Sequence, residues 1–435
     1  MTLSAGRHDP AFLQRIAKRH EPCNASAGGL TLAPALAFFP GPCDIKLKAG
    51  AQGPIASTVT GRRVEQATDT QRSGNHLIHN IFKQKIPPLL GRDISTSAVR
   101  LLALEVTSKG VRVDACAQVR LLPGAVTEGS VTDIEAVARA VGEVMSRTGS
   151  KRRRVALALS GSQVISRQIS MPVDFSDADI EQQINLESDQ YIPYPLDDVY
   201  FDFVVLGPNA RNPQTADVLL IVARNDVVDK RLETLTAAGL AAAVVDVEAY
   251  ALESAFPLIA SQMPPTARTG ITAMVDVGAA STTLNVLQGG VTLFTREQSF
   301  GGEQLLQQIQ EHYGLAYPEA SAALREGSFP DDWRSTIIEP FLDSLANQVG
   351  RLLQVFFSAT GQSSLDHVVL SGGCAGLSGV AGVVGRYIGL DTRVGNPFLG
   401  AEFAPGIDAV RLRDDGHAWM IAAGLAMRST TDVSR

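Results

Sequence analysis

Asp93 and Asp276 stand at matching places in two distant stretches, Gly91-Arg92-Asp93-Ile94-Ser95-Thr96-Ser97 and Val275-Asp276-Val277-Gly278-Ala279-Ala280-Ser281-Thr282. A nucleoside triphosphate with bound Mg2+ needs such a pair, because carboxylates hold the metal's waters while unobstructed backbone N–H groups meet phosphate oxygens. Ser95, Thr96 and Ser97 would add hydroxyl donors on one side, and Gly278, Ala279, Ser281 and Thr282 would line the other. A third stretch, Ser371-Gly372-Gly373 behind Val368–Leu370, would let backbone lie flat against a nucleobase. Gly301-Gly302-Glu303 opens a helical pattern and would set amides and a carboxylate near a ribose. Glu248, in Val244-Val245-Asp246-Val247-Glu248-Ala249-Tyr250, lies where a strand becomes a helix and could orient a water; a plain carboxylate favoured by the helix dipole is the alternative. Each hairpin alone also fits an ordinary Asx-type turn. In this order and spacing the stretches describe one cleft for ATP and Mg2+, with Asp93 and Asp276 as the carboxylates facing the metal.

Repeated elements must position these loops. Leu89-Leu90 and Val99–Leu104 read as a hairpin across the first turn, Val111–Leu122 continues the sheet, and Ile134–Met145 has apolar residues at helical spacing. The strand Val155–Leu159 completes a βββαβ half-unit, and the same order recurs from Thr272 through Val368–Leu370. Phe341, Leu345, Val349, Leu352 and Phe356 mark a long amphipathic helix in the second half. Between the halves, Ser176-Asp177-Ala178-Asp179 is a capping box for a helix carrying Ile180, Ile184 and Tyr191. With the strands 200–206 and 218–223 and the helix 227–238 capped by Gly239, it reads as a small βαβ-type insert.

The 435 residues, 45% hydrophobic, allow a large core. A net charge of −7 argues against a nucleic-acid partner, and the one basic run, Lys151–Arg154, reads as a solvated approach to a strand. Cys23, Cys43, Cys116 and Cys374 show no metal-binding spacing, which fits a reducing cytosol. The apolar stretch 28–40 is too short to span a bilayer and is broken by Pro34. Residues 1–76 are rich in Ala, Gly, Pro and Arg without sustained period; they are expected to be a poorly ordered leader or to precede a true start near Leu77.

The three loops, the Gly301-Gly302-Glu303 turn and Ile421-Ala422-Ala423-Gly424-Leu425-Ala426 resemble the actin-like ATPase superfamily, which includes actin, the heat-shock chaperones, sugar kinases and FtsA. More narrowly, four stretches are similar to the type IV pilus assembly PilM family: 190–196 (QYIPYPL), 245–252 (VDVEAYAL), 296–302 (REQSFGG) and 420–428 (MIAAGLAMR). The resemblance covers about residues 87–428. It implies an α/β actin-like ATPase fold, two ribonuclease-H-like halves around a nucleotide cleft, with a small insert like that of FtsA. The implied division is 87–160 and 244–269 for the first lobe, 161–243 for the insert and 270–428 for the second lobe with its closing helix.

The resemblance further implies a cytoplasmic protein at the inner face of the inner membrane. It would bind ATP between its lobes, capture the N-terminal cytoplasmic tail of PilN in a groove partly formed by the insert, and link this platform to the pilus motor ATPase. The polar stretch 429–435 carries no amphipathic membrane-targeting pattern, so the membrane is expected to be reached only through partners. Three departures bear on the chemistry: Arg92 replaces an apolar residue, Ala279 and Ala280 stand where the chaperones have glycines, and no carboxylate is placed like a sugar kinase's base. Binding with weak or no hydrolysis is expected, the nucleotide acting as a conformational switch. An active ATPase using Glu248 and an FtsA-like filament-forming scaffold are the alternatives.

Overall fold

The computed structural model describes residues 48–49, 88–108, 110–327, 330 and 332–431. The expected leader, apart from Lys48–Ala49, lies outside the described residues, as do Cys23 and Cys43. Leu90–Ile94 (β1), Ala98–Thr107 (β2) and Gly110–Arg120 (β3) form an antiparallel meander. Helix α1 (Ile134–Thr148) starts where Asp133 caps the amide of Ala136 and stops at Gly149 in the left-handed region, φ 60°. Val137, Val141 and Val144 press its apolar stripe on the sheet, and β4 (Arg154–Leu159) returns parallel to β1.

The insert follows as β5 (Val164–Pro172), α2 (Asp177–Leu186), β6 (Val199–Pro208) and β7 (Thr215–Arg224). The expected capping box is present: Ser176 Oγ accepts from Asp179 N, and the Asp179 carboxylate accepts from Ser176 N at 3.0 Å. The helix ends at Leu186 and does not reach Tyr191, which sits in the separate turn Ser188–Tyr191. The βαβ reading needs correction, because the three strands pair antiparallel in the order β6-β7-β5. Lys48–Ala49 pairs with Tyr200 and Phe201 on the outer edge of β6. Helix α3 (Asn225–Ala237) and β8 (Ala241–Val247) belong to the first half: β8 pairs parallel with β4, and Leu235 and Leu240 enter the core under β1 and α1. The insert thus ends with β7, whose Val218, Leu220 and Val222 face its own core, and not at 243 as expected, because the helix expected to complete it packs on the first half.

Helix α4 (Glu248–Ile259) leads into the second half, built from β9 (Ile271–Val277), β10 (Thr282–Gln288), β11 (Val291–Gln298), α5 (Gly302–Tyr313), α6 (Glu339–Thr360), β12 (His367–Ser371), α7 (Val380–Ile388) and β13 (Thr392–Val394). All five residues expected on the long amphipathic helix are buried on α6. The strand orders β3-β2-β1-β4-β8 and β11-β10-β9-β12-β13 have the same connectivity, so the repeat is borne out.

Two helices tie the halves together. The first half's α4 lies on β10 and β11, while α8 (Met420–Thr431), which closes the second half, lies on β1 and β2. They cross where a Cβ on Gly424 would fall onto the backbone carbonyl of Ala251, and a Cβ on Gly91 would strike the backbone of Ala422 and Ala426. Gly91 is therefore small for helix packing. A buried ion pair, Arg428 Nε to Asp246 Oδ2 at 2.6 Å, fastens α8 to β8. No helix among the described residues is long and apolar enough to cross a membrane. Replacing an exposed helical glycine by alanine stabilises by about 1 kcal/mol; here Gly424→Ala is expected to destabilise by about 3 kcal/mol through overpacking, read by urea unfolding. A stabilised variant would refute the close crossing.

Candidate functional site

The β1–β2 turn presents Asp93, which is 5% exposed, and its Oδ2 receives Arg100 Nη1 at 2.9 Å. Arg100 also donates from Nε to Gln118 Oε1 at 3.1 Å, so this cation is held in place. It is Arg100, not Arg92, that neutralises Asp93. Strand alternation turns Arg92 to the opposite face, where it is fully buried and donates to Thr234 Oγ1 at 2.9 Å. Burial, aided by repulsion from Arg231, holds the Arg92 pKa well below its ordinary value. In the turn, Ser95 Oγ donates to Ala98 O at 3.1 Å, which closes the hairpin; Ser95, Thr96 and Ser97 are half-buried.

In the second half Asp276 Oδ1 accepts from Ser371 Oγ at 2.7 Å, so Ser371 serves the carboxylate. Thr282 Oγ1 is engaged by Phe300 O at 2.7 Å, and Gly278 N bonds Ser281 O at 2.9 Å. The amides of Gly302 and Glu303, expected to face a ribose, instead donate to Gly278 O at 3.0 Å and Ala279 O at 2.8 Å. A helix end must satisfy its free amides, and the neighbouring loop supplies the acceptors. A Cβ on Gly301 would lie 2.5 Å from Ala279 O, so that glycine permits the contact. Glu303 is exposed. Gly372, at φ 86°, backs onto Val277, while Gly373 is exposed with open space where a side chain would stand, as a flat nucleobase would need.

Charges from both halves meet between these loops. Glu248, the first residue of α4, has its carboxyl pushed up to about 8, chiefly because it is withdrawn from water. The charge on Asp93 adds to this, Arg231 opposes it, and Glu297 and Asp276 contribute further. Asp276 is pushed up to about 6 by burial, against the hydrogen bond from Ser371. Burial thus favours the protonated form of Glu248 over the ionised one.

Sequence reading missed three contributors. Glu297, at the end of β11, reaches the first half and accepts from Ser162 N at 2.8 Å. His417 Nδ1 lies 2.8 Å from Gly372 O, while Gly372 N donates to His417 O at 2.9 Å. Cys374 lies under the 278–281 loop with its thiol pushed up to about 12 by burial. A lone Glu or His carries no spacing signal, although the Ser-Gly pair at 160–161 repeats that at 371–372 and points to the loop that Glu297 grips.

For a cofactor, the fit is mixed. Gly373 leaves its backbone open as a nucleotide requires, while among the described residues no group of three His, Cys, Asp or Glu side chains could hold a metal ion directly. Asp93 and Asp276 could meet a nucleotide-borne Mg2+ through its waters.

The model of the family described as type IV pilus assembly protein PilM matches residues 91–430. Among solved structures, a PilM-PilN type IV pilus biogenesis complex matches with TM-score 0.67 and 27% identity, covering 79% of this chain and 99% of that one. The ethanolamine utilization protein EutJ of Carboxydothermus hydrogenoformans matches with TM-score 0.46 and 16% identity over 78% and 90% of the two chains. MreB5 of Spiroplasma citri bound to ADP matches with TM-score 0.43 and 12% identity over 80% and 98%. The fold is the actin-like ATPase fold, two repeated α/β halves with an insert in the first.

A carboxyl whose pKa is raised by folding contributes stability that is fully present below its unfolded value, where both states are protonated, and that falls away once the unfolded chain ionises and folding must take up a proton. That contribution is lost as pH climbs toward the folded value of about 8 for Glu248. Glu248→Gln is therefore expected to melt close to wild type near pH 5 and about 2 °C or more above it at pH 9, by calorimetry across that range. Parallel melting curves at all pH values would show an unperturbed carboxyl.

Proposed function

The chain belongs to the type IV pilus assembly protein PilM family, and we propose that it is a cytoplasmic ATP-binding assembly protein of the pilus inner-membrane platform. In this reading the nucleotide sits between the halves, and its occupancy sets their angle. The observation that carries the reading is that two aspartate turns, Asp93 and Asp276, lie within electrostatic reach of one another near the open backbone of Gly373. Asp276, with its carboxylate steadied by Ser371, would be the main partner for the waters of a nucleotide-bound Mg2+. Asp93, partly neutralised by Arg100, would be the weaker one. Bound Mg2+ would offset the phosphate charge.

Ser95, Thr96 and Ser97 would face the phosphates from one side and Gly278, Ala279 and Ser281 from the other. One feature favours a switch over an efficient ATPase: an arginine already occupies Asp93. A switch needs only unequal affinity for two states.

The partner would be the N-terminal cytoplasmic tail of PilN, taken up beside the insert, with the membrane reached through that partner and the pilus motor ATPase joined to the same platform. A solved relative is a PilM-PilN complex, which supports this choice of partner. Calorimetric titration of the full chain with a PilN N-terminal peptide, with and without Mg-ATP, tests both parts. Peptide binding that Mg-ATP changes by at least about fivefold, and that Asp276→Ala renders insensitive to ATP, is the expected result. ATP binding with no peptide binding in either condition would overturn the assembly role.

A further inference from the structure

Ser160-Gly161-Ser162-Gln163 follows β4 as Ser371-Gly372-Gly373 follows β12, and it is the root from which the insert's first strand, β5, departs. Its internal bonds tie it to the first half: Gln163 Oε1 accepts from Ser160 N at 3.2 Å and from Arg231 Nη2 at 3.3 Å, and Gln163 Nε2 donates to Ser130 Oγ at 3.2 Å. Glu297 grips the same loop from the second half through the amide of Ser162, 2.8 Å from its Oε2. A Cβ on Gly161 would come within 3.0 Å of that oxygen, so the glycine leaves the carboxylate its seat.

Further along the chain, the residues that follow Glu297 bond the 278–282 stretch. Phe300, three residues on, accepts from Thr282 Oγ1, and Gly302 N bonds Gly278 O. Glu297 also lies within electrostatic reach of Glu248 and Asp276, so a change of charge in the cleft acts on it directly. We propose that Glu297 is a positioning residue that latches the second half to the root of the insert, transmitting the state of the 278–281 loop to the subdomain beside which a partner docks. The latch itself stands on the contact to Ser162; its role in signalling rests on the nucleotide reading given above.

Hydrogen exchange of the full chain, comparing wild type with Glu297→Ala and Glu297→Gln, tests it. Without nucleotide, Glu297→Ala is expected to speed exchange across 160–172 about tenfold, the worth of a hydrogen bond to a charged acceptor, while α6 keeps wild-type protection. Glu297→Gln, whose side-chain carbonyl still accepts, should restore most of that protection. Unchanged exchange at 160–172 in Glu297→Ala, or loosening spread evenly through the second half, overturns the latch.

With Mg-ATP, the wild-type insert should change its exchange and Glu297→Ala should not. An equal response of the insert in both proteins would also overturn the proposal. Absence of any ATP effect on wild type would count against the nucleotide switch, while the latch would be decided by the nucleotide-free comparison.

Discussion

Backbone meets backbone where α4 and α8 cross, and the rest of the molecule is arranged around that approach. With Gly424 against the carbonyl of Ala251, and Gly91 against Ala422 and Ala426, each half lends a helix to the sheet of the other. Such packing tolerates no added methylene, and in the same arrangement Asp93 and Asp276 come within electrostatic reach of each other. The buried pair Arg428–Asp246 adds direction to an otherwise apolar contact, because an ion left alone there would cost several kcal/mol.

The charge pattern of the cleft follows from that geometry. Four carboxylates, Asp93, Glu248, Asp276 and Glu297, come from both halves and are only partly offset by Arg100 and Arg231. Withdrawal from water, and then crowding, raise two of them. In the proposed reading such a cleft stores its response in the separation of the halves, since each half carries charges that the other must balance. A residue bridging the halves, as Glu297 does at Ser162, then matters more to signalling than a proton acceptor would.

The sequence by itself determined the repeated half-units, the strands flanking both aspartates, the long α6 helix and the capping box of the insert. These are local: alternation, helical spacing and cap chemistry act between residues a few positions apart. It also placed the loops in one cleft, because a repeat implies a pseudo-twofold. What it could not decide was which neighbour each polar side chain would find. Arg92 and Arg100 read alike as charges near Asp93, and only the facing of β1 and β2 sends one into the core and the other to the carboxylate. The helix amides at Gly302 and Glu303 looked free for a ligand until the 278–281 loop folded onto them. The parting of the insert from α3 and β8 was equally tertiary, since parallel pairing with β4 leaves no mark on the strand's own sequence. Glu297 and His417 gain their roles from contacts made across 135 and 45 positions, over which chain order carries no distance information.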